Sequence, residues 1–433
     1  MWIYNKSIIW IPTKNWWLSG YNMYISIYKT LKSNGYKCYF LQPTFFVKKY
    51  LLLAWVDEKD ILETNELKWE LKYSWNHTKE YKQLITFIKT FFWKKSFNSI
   101  LKESLIEYYQ YDYLIKKYNI NTILIYNGIF RVWRLAWLDN NCRVIYFENW
   151  YFPHTIQIDD KWVNADASIA DMSYEEILSY KKPSWKIQDT YIFRSNPIGL
   201  LKKILYYFKS YNLNIFFHYL VAYTKKYYEI YKRKVILFFE KEVTLARDKY
   251  VFLALQVHDD TQLIFNSPFV KKPEEIITLS YDILKEEFKD YKIVVKEHPM
   301  DIWRISYDKI REKYKDIIWI RKWNIDDVIE KSEYVVCINS SVWLQALSKY
   351  KKVFTFWKNF YSNNPWVENL KSLDTVREQF LELKNKKLNT EEIDKYIGVF
   401  KNEIFIEWEK TWWAWESFNK KTVKDICEYI VKD

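Results

Sequence analysis

Cys337-Ile338-Asn339-Ser340-Ser341-Val342-Trp343-Leu344-Gln345-Ala346-Leu347 is the stretch on which the fold turns. Tyr334 to Ile338 is an apolar, β-branched run of the kind that forms a buried strand, and Leu344 to Tyr350 has helical spacing. Between them stand Asn339, Ser340 and Ser341, residue types that favour helix N-caps. A strand that feeds a hydroxyl-rich turn and then a helix gathers free backbone N–H groups and a positive dipole end at one spot, which suits a phosphate. An ordinary capped helix is the commoner explanation of such a turn. A second stretch, Val294 to Asp301 (VVKEHPMD), weighs toward the anion site, because there too a strand ends in Lys, Glu, His and Pro. Trp343 does not fit: glycine would suit a first helical turn that must approach a ligand closely.

Outward from these stretches, strand patterns alternate with helical ones. Tyr250–Val257, Lys292–Lys296, Ile317–Ile320, Tyr334–Ile338 and Lys352–Phe356 are expected strands, with helices between them that include Pro273 to Lys289 and Ile302 to Tyr314. The chain opens as βαβ: a strand at Ser7–Ile11, a loop at Asn15–Gly20, a helix to about Ser33 and a strand at Tyr36–Leu41. Residues 57–118 are expected to be mostly helical, followed by short strands at Thr122–Tyr126 and Arg143–Phe147. Such alternation implies parallel sheets with ligands at the carboxyl ends of the strands. From Gly199 to about Arg247 the pattern is long, helical, aromatic and basic. A connector packed between domains is favoured there over an interfacial membrane helix. Ser417 to Val431 reads as a closing helix. The expected organisation is two α/β domains with a cleft between them: 1–198, a helical connector 199–248, a second domain 249–400, and a helical tail 401–433.

Composition carries an anomaly. Ordinary glycine usage of roughly 7% predicts about thirty glycines in a chain of this length. There are five, against 23 tryptophans. Several tryptophans stand where turns belong, as in Asn15-Trp16-Trp17-Leu18-Ser19-Gly20, Thr411 to Glu416 (TWWAWE) and Phe356-Trp357-Lys358. Many of these tryptophans are read here as standing for glycine, as follows when UGA codons that encode glycine are translated as tryptophan. The alternative is a genuinely Trp-rich protein, and UGG codons at Trp150, Trp343 and Trp357 would establish it.

Apolar residues make up 49% and charged residues 28%, which excludes a disordered chain. The formal net charge of +13 favours anionic partners, with nucleic acid the weakest candidate because no recognisable binding motif is present. Cys38, Cys142, Cys337 and Cys427 have no metal-ligand spacing, and Cys142 and Cys337 read as core residues. No signal peptide is expected at the N-terminus, and no uncharged apolar run reaches the roughly eighteen residues a membrane span needs. A cytoplasmic protein is expected, with a peripheral position on the inner face of the membrane as the variant of that reading.

Four polar clusters fall at expected strand ends. They are Phe147-Glu148-Asn149-Trp150-Tyr151 running on to Trp162-Val163-Asn164 and Ser168, then Leu255 to Gln262 (LQVHDDTQ), Lys296-Glu297-His298-Pro299, and Asn339-Ser340-Ser341. Each alone is weak, since a lone His or Asp at a strand end is more often structural. In this order, with glycine at Trp150, Trp162 and Trp343, the text resembles the bacterial capsular polysaccharide biosynthesis/export family, the group that includes β-Kdo glycosyltransferases. FENGYFP followed by GVN, LQ-x-x-x-D-[ST]-Q, K-x-HP-x-D and N-S-[ST]-V-G-x-x-A-L are the motifs matched, and KVFTFW with Phe360-Tyr361 resembles the family's strand-glycine-tyrosine ending. The likeness spans roughly Ile123 to Tyr361.

The resemblance implies a GT-B-like α/β fold, two Rossmann-like domains facing a cleft, with the acceptor on the N-terminal side and the nucleotide sugar on the C-terminal side. It implies a retaining transferase that takes Kdo or a similar acidic sugar from a CMP-activated donor to a lipid-linked saccharide, with no metal and no cofactor beyond that co-substrate. Gln256, Lys296, His298, Asn339, Ser340 and Ser341 would bind the donor. A lysine charge, an imidazole donor and a hydroxyl-bearing turn also fit a phosphate on physical grounds. Double displacement needs two carboxylates. Asp260 is the candidate nucleophile, at the matched Asp of the family signature, with Asp259 as its rival. Glu148 is the candidate acid/base or acceptor-positioning group. Helix or loop capping is the competing role for both. Arg131 and Arg134 are assigned to an acidic acceptor, with an exposed helix face as the equal alternative; His258 departs from the family text and has no role. Capsule assembly proteins are the further partners implied. The rival readings are a CDP-glycerol-type glycerophosphotransferase and a non-catalytic polysaccharide export accessory protein.

Overall fold

The computed structural model describes residues 7–10, 21–41, 48, 51–52, 54–63, 97–126, 140–149, 152, 155–163, 166–182, 187–192, 224, 228, 230–240, 249–260, 263, 267–357, 359, 364–410, 416–417 and 419–432. The architecture is mixed α/β with mainly parallel sheets. The chain divides into two compact units, one formed by Met1–Val163, Lys181–Asn196 and Ile404–Asp433, the other by Asn164–Tyr180 and Pro197–Glu403.

In the first unit β1 (Ser7–Trp10), β2 (Lys37–Leu41), β3 (Ile61–Leu62), β4 (Thr122–Tyr126), β5 (Arg143–Asn149) and β6 (Thr155–Asp159) lie in the order β3-β2-β1-β4-β5-β6. All neighbours are parallel except β5 and β6. The helix Tyr21–Ser33 covers this sheet, and its chain reverses at Gly35, whose φ of +87° is the left-handed region glycine enters without strain.

The expected tail is part of this unit. Phe405–Glu407 pairs antiparallel with β6 along the edge of the sheet. The helix Lys420–Val431, started by a capping box of Asn419 and Thr422, buries Val423, Ile426, Cys427 and Ile430 in one core with Met23, Ile27 and Leu31. Of the expected helical stretch 57–118, the described part is a turn at Glu58–Asp60, the short edge strand β3, and a helix at Phe97–Tyr118.

The second unit holds β7 (Tyr250–Ala254), β8 (Lys292–Lys296), β9 (Ile318–Ile320), β10 (Tyr334–Cys337), β11 (Lys352–Thr355) and β12 (Val367–Asn369) in the order β12-β11-β10-β7-β8-β9, all parallel. β7 and β10 are buried along their whole length, which explains their unbroken apolar sequences. Strand order reverses between β7 and β10, the crossover point of a doubly wound sheet. The expected helix over Ile302–Tyr314 is shorter, Asp308–Lys313. Residues 301–305 form turns instead, because Trp303 has φ 73° and a left-handed residue ends helical pairing. Two helices that the sequence pattern did not suggest, Val376–Asn385 and Thr390–Val399, follow β12. The first stacks Phe380 on Phe354 of β11, ring centroids 4.2 Å apart. All four cysteines are free and buried, as Cys142 and Cys337 were expected to be. Among the described residues, no helix is long and apolar enough to cross a membrane.

Candidate functional site

Register brings three of the sequence motifs level. Val336 of β10 pairs with Leu253 of β7, which pairs with Val295 of β8. Three residues farther along each chain come Asn339, Gln256 and His298, so the polar ends of three adjacent strands emerge together where strand order reverses. Neighbouring strands lie about 4.8 Å apart, close enough for these ends to act on one small group.

The segment after β7 is held by specific bonds. Gln256 is nearly buried, and its amide donates to Asp260 Oδ2 at 2.9 Å. The residue expected to touch the donor therefore orients the candidate nucleophile. Asp259, the rival carboxylate, is paired with Arg304. Burial pushes its carboxyl up, but the Arg304 guanidinium outweighs this and holds it below its ordinary value. Asp259 is thus committed to an arginine, whereas Asp260 accepts from a neutral amide. His258 gives its backbone N–H to Asp301 Oδ2 at 2.7 Å, and its Nδ1 lies 2.7 Å from Asp301 Oδ1.

His258, Asp259 and Asp301 place ligand-type atoms within 4.8 Å of one another, the arrangement a cation needs. Arg304 already supplies the positive charge there, since it also reaches Asp301 Oδ1 at 3.5 Å. The trio therefore has the layout of an ion-pair network more than that of a metal site.

At the end of β8, His298 is half-buried and Met300 donates its backbone N–H to Nδ1 at 3.1 Å. The neutral ring then carries its proton on Nε2. Burial lowers the His298 pKa, Asp301 and Asp260 oppose the shift, and Lys296 and Arg233 add to it. Lys296 is buried and donates to the Arg321 carbonyl at 2.8 Å. Burial depresses its ammonium to about 8, against the opposing pull of Glu240 and Glu297. One of its three N–H donors is thereby used within the fold.

Between these two residues Glu297 points inward, fully buried and gripped by two arginines. Arg321 Nε reaches Oε2 at 2.7 Å and Arg321 Nη2 reaches Oε1 at 2.9 Å, while Arg311 closes on Oε1 from another side and lies over the Trp319 ring.

The turn after β10 differs from expectation. Ser341 is the N-cap residue but makes no side-chain capping bond, and its φ and ψ of −58° and −13° are helical. Ser340 Oγ accepts from the Val342 N–H at 3.4 Å, a long contact. The helix Val342–Leu347 has six residues, so its dipole is small. Trp343 does not face a ligand; its side chain is wholly buried. Asn339 is nearly buried, and its carbonyl accepts from Asn359 Nδ2 at 2.8 Å.

Glu148 lies in the other unit, half-buried near the end of β5 and opposite Gln157 of β6. Trp162, read as a glycine position, packs its ring 5.0 Å from that of Tyr146. Arg131, Arg134 and Trp150 lie outside the described residues. The sequence pattern missed the parts played by Asp301, Arg304, Arg311 and Arg321. Asp301 stood in the quoted KEHPMD stretch, but its partner on another strand end was not visible.

Residues 127–378, more than half the chain, match the family described as "Capsule polysaccharide biosynthesis protein". No curated protein matches the sequence. Among solved structures, the chain is similar to the KpsC β-Kdo 2,7 transferase of Thermosulfurimonas dismutans, at 15% identity over 82% of this chain and 96% of that one, TM-score 0.36. The KpsC β-Kdo 2,4 transferase of the same organism is 12% identical over 64% of this chain and 79% of its own, TM-score 0.36. A Methanocaldococcus jannaschii UDP-GlcNAc 2-epimerase, in complex with UDP-GlcNAc and UDP, is 12% identical over 91% of this chain and 99% of its own, TM-score 0.32. These structural likenesses are loose, and membership of a family rests on the match over 127–378.

Proposed function

Because the chain belongs to the capsule polysaccharide biosynthesis protein family, we propose that it is a glycosyltransferase that moves Kdo or a similar acidic sugar from a CMP-activated donor to a lipid-linked saccharide. The observation that carries this reading is that Gln256, His298 and Asn339 follow level ends of three adjacent strands beside the crossover point of an all-parallel sheet, where doubly wound folds bind nucleotides. In this reading His298 offers Nε2–H to the cytidylate phosphate, Lys296 adds charge from beneath, and the Ser340 and Ser341 hydroxyls complete the grip. Those groups would stabilise the departing CMP as negative charge grows on it. Asp260, steadied by Gln256, is the nucleophile, and Glu148 is the acid/base or acceptor-positioning group of the other unit. Arg131 and Arg134 remain assigned to an acidic acceptor. No metal takes part, so activity is expected to survive chelation by EDTA; loss on chelation and recovery with a divalent cation would reverse that view.

The deciding experiment incubates the protein, with glycine restored where its codons require it, with CMP-Kdo and a Kdo-primed lipid acceptor. Transfer with CMP release is expected; the absence of both would sink the reading. A CDP-glycerol-type glycerophosphotransferase is the second reading, since the same turns suit any cytidylate. Calorimetry separates the two: tighter binding of CDP-glycerol than of CMP-Kdo would favour the second.

A peripheral position on the membrane is part of the proposal. Within the described helical residues 230–239 and at Tyr228, one face carries Tyr228, Tyr231, Lys232, Val235, Phe238 and Phe239. Phe238 and Phe239 are 78% and 77% exposed. An aromatic stripe beside basic residues suits an anionic lipid surface.

A further inference from the structure

Asp301 is fully buried, yet both of its oxygens face one residue: Oδ2 accepts the His258 backbone N–H and Oδ1 pairs with the His258 ring, each at 2.7 Å. A carboxylate in this place accepts from Nδ1–H, an assignment made from the hydrogen-bond network, and in that tautomer the free ring nitrogen is Nε2. The His258 side chain is 30% exposed while that of Asp301 is 0% exposed. The ring is therefore anchored on its inner nitrogen and partly open to solvent. Asp301 touches the ring, Asp259 interacts electrostatically with it, and Arg304 pairs with both carboxylates. His258 stands two residues before Asp260, in the loop that follows β7 at the crossover point. A clip between two loops would need only the backbone contact. An imidazole with a fixed tautomer adds a group that takes up a proton, the pattern of a carboxylate-oriented general base.

We propose that His258 is the base that deprotonates the acceptor hydroxyl, with Asp301 as its positioning residue, which leaves Glu148 the acceptor-positioning one of its two roles. This rests on the transferase reading above and adds a step to it. In the second half of the double displacement, the acceptor O–H gives its proton to His258 Nε2. The oxygen's electron pair forms the bond to the anomeric carbon. The bond from that carbon to the Asp260 carboxylate breaks, and its electron pair returns to Asp260. Asp301 stabilises the imidazolium until its proton passes to water.

Two measurements test the proposal. In His258→Gln, transfer is expected to fall by about 10²–10⁴, while CMP is still released in a single burst and intact mass spectrometry finds the sugar retained on the enzyme. Transfer within about threefold of the parent, well short of a general-base effect, overturns the role, as does loss of the burst and the adduct together. The second measurement needs no donor. In the full chain carrying ¹⁵N-labelled histidine, NMR is expected to find His258 as the Nδ1–H tautomer, with that preference lost in Asp301→Asn. An Nε2–H tautomer in the parent overturns the proposal. If the parent protein does not turn over CMP-Kdo, the donor assignment fails, and the tautomer still decides the His258 pairing. It decides alone if His258→Gln does not fold.

Discussion

Trp303 has φ 73° and Trp55 has φ 56°. For a bulky L-residue the left-handed region costs roughly 1–2 kcal/mol, whereas glycine enters it freely. Glycine would enter both positions without strain, but Tyr350 also stands at φ 55°, and the codons decide which tryptophans stand for glycine. The side chains are not idle, since Lys29 lies over the Trp55 ring and Lys232 over the Trp303 ring. Comparing glycine with alanine removes that complication, because both lose the ring. Trp303→Gly is expected to be more stable than Trp303→Ala by about 1 kcal/mol, the reverse of the order in ordinary helical positions. Equal melting temperatures would show that this turn makes no demand for glycine.

Lys296 offers a second test at the same scale. Its ammonium is depressed to about 8 by burial, so it is charged below that pH and neutral above it. CMP binding measured by calorimetry is expected to weaken as pH rises through about 8, as the charge is lost. Stability should move the opposite way. The unfolded chain holds the proton up to the ordinary lysine value of about 10.4, so folding becomes more favourable between the two values. A flat binding profile would remove Lys296 from the phosphate grip.

At the scale of elements, the end of β8 is set by charge burial. Glu297 is enclosed, Arg321 bonds both of its oxygens and Arg311 shares Oε1, while the Arg321 carbonyl also holds Lys296. Breaking such a pair from one side leaves an uncompensated buried charge, at a cost of about 3–5 kcal/mol. Arg321→Met is expected to lose stability in that range by urea unfolding and to weaken CMP binding, because His298 is the next residue along. Adding Glu297→Leu should recover part of the stability. A single Arg321→Met variant as stable as the parent would show that Arg311 alone satisfies the carboxylate.

For the whole molecule, the net charge of +13 and the aromatic stripe through Tyr228, Tyr231, Phe238 and Phe239 bear on location. The protein is expected to float with vesicles containing phosphatidylglycerol and to remain free of phosphatidylcholine vesicles at physiological salt. Replacing Phe238 and Phe239 by serine should reduce flotation without lowering the melting temperature. Flotation unchanged by those substitutions would move the contact elsewhere on the protein.

The sequence by itself determined the central strands and the polar residues at their ends, whereas Ile61–Leu62, Thr155–Asp159, Val367–Asn369 and Phe405–Glu407 were not expected as strands. Thr122–Tyr126 and Lys292–Lys296 were legible to the residue, because a buried parallel strand is an unbroken apolar run and that signal is local. Gln256, Asp260, His298 and Asn339 were legible as strand-end residues for the same reason. Tertiary structure alone decided strand order, the return of Phe405–Glu407 to the edge of the first sheet, and the level meeting of three strand ends. It also decided that Gln256 holds Asp260, that Arg304 takes Asp259 and that Asp301 takes His258. Periodicity follows from neighbours along the chain. Pairing and the compensation of buried charge follow from neighbours in space, and Asp301 is 43 residues from His258 along the chain, beyond the reach of any local pattern.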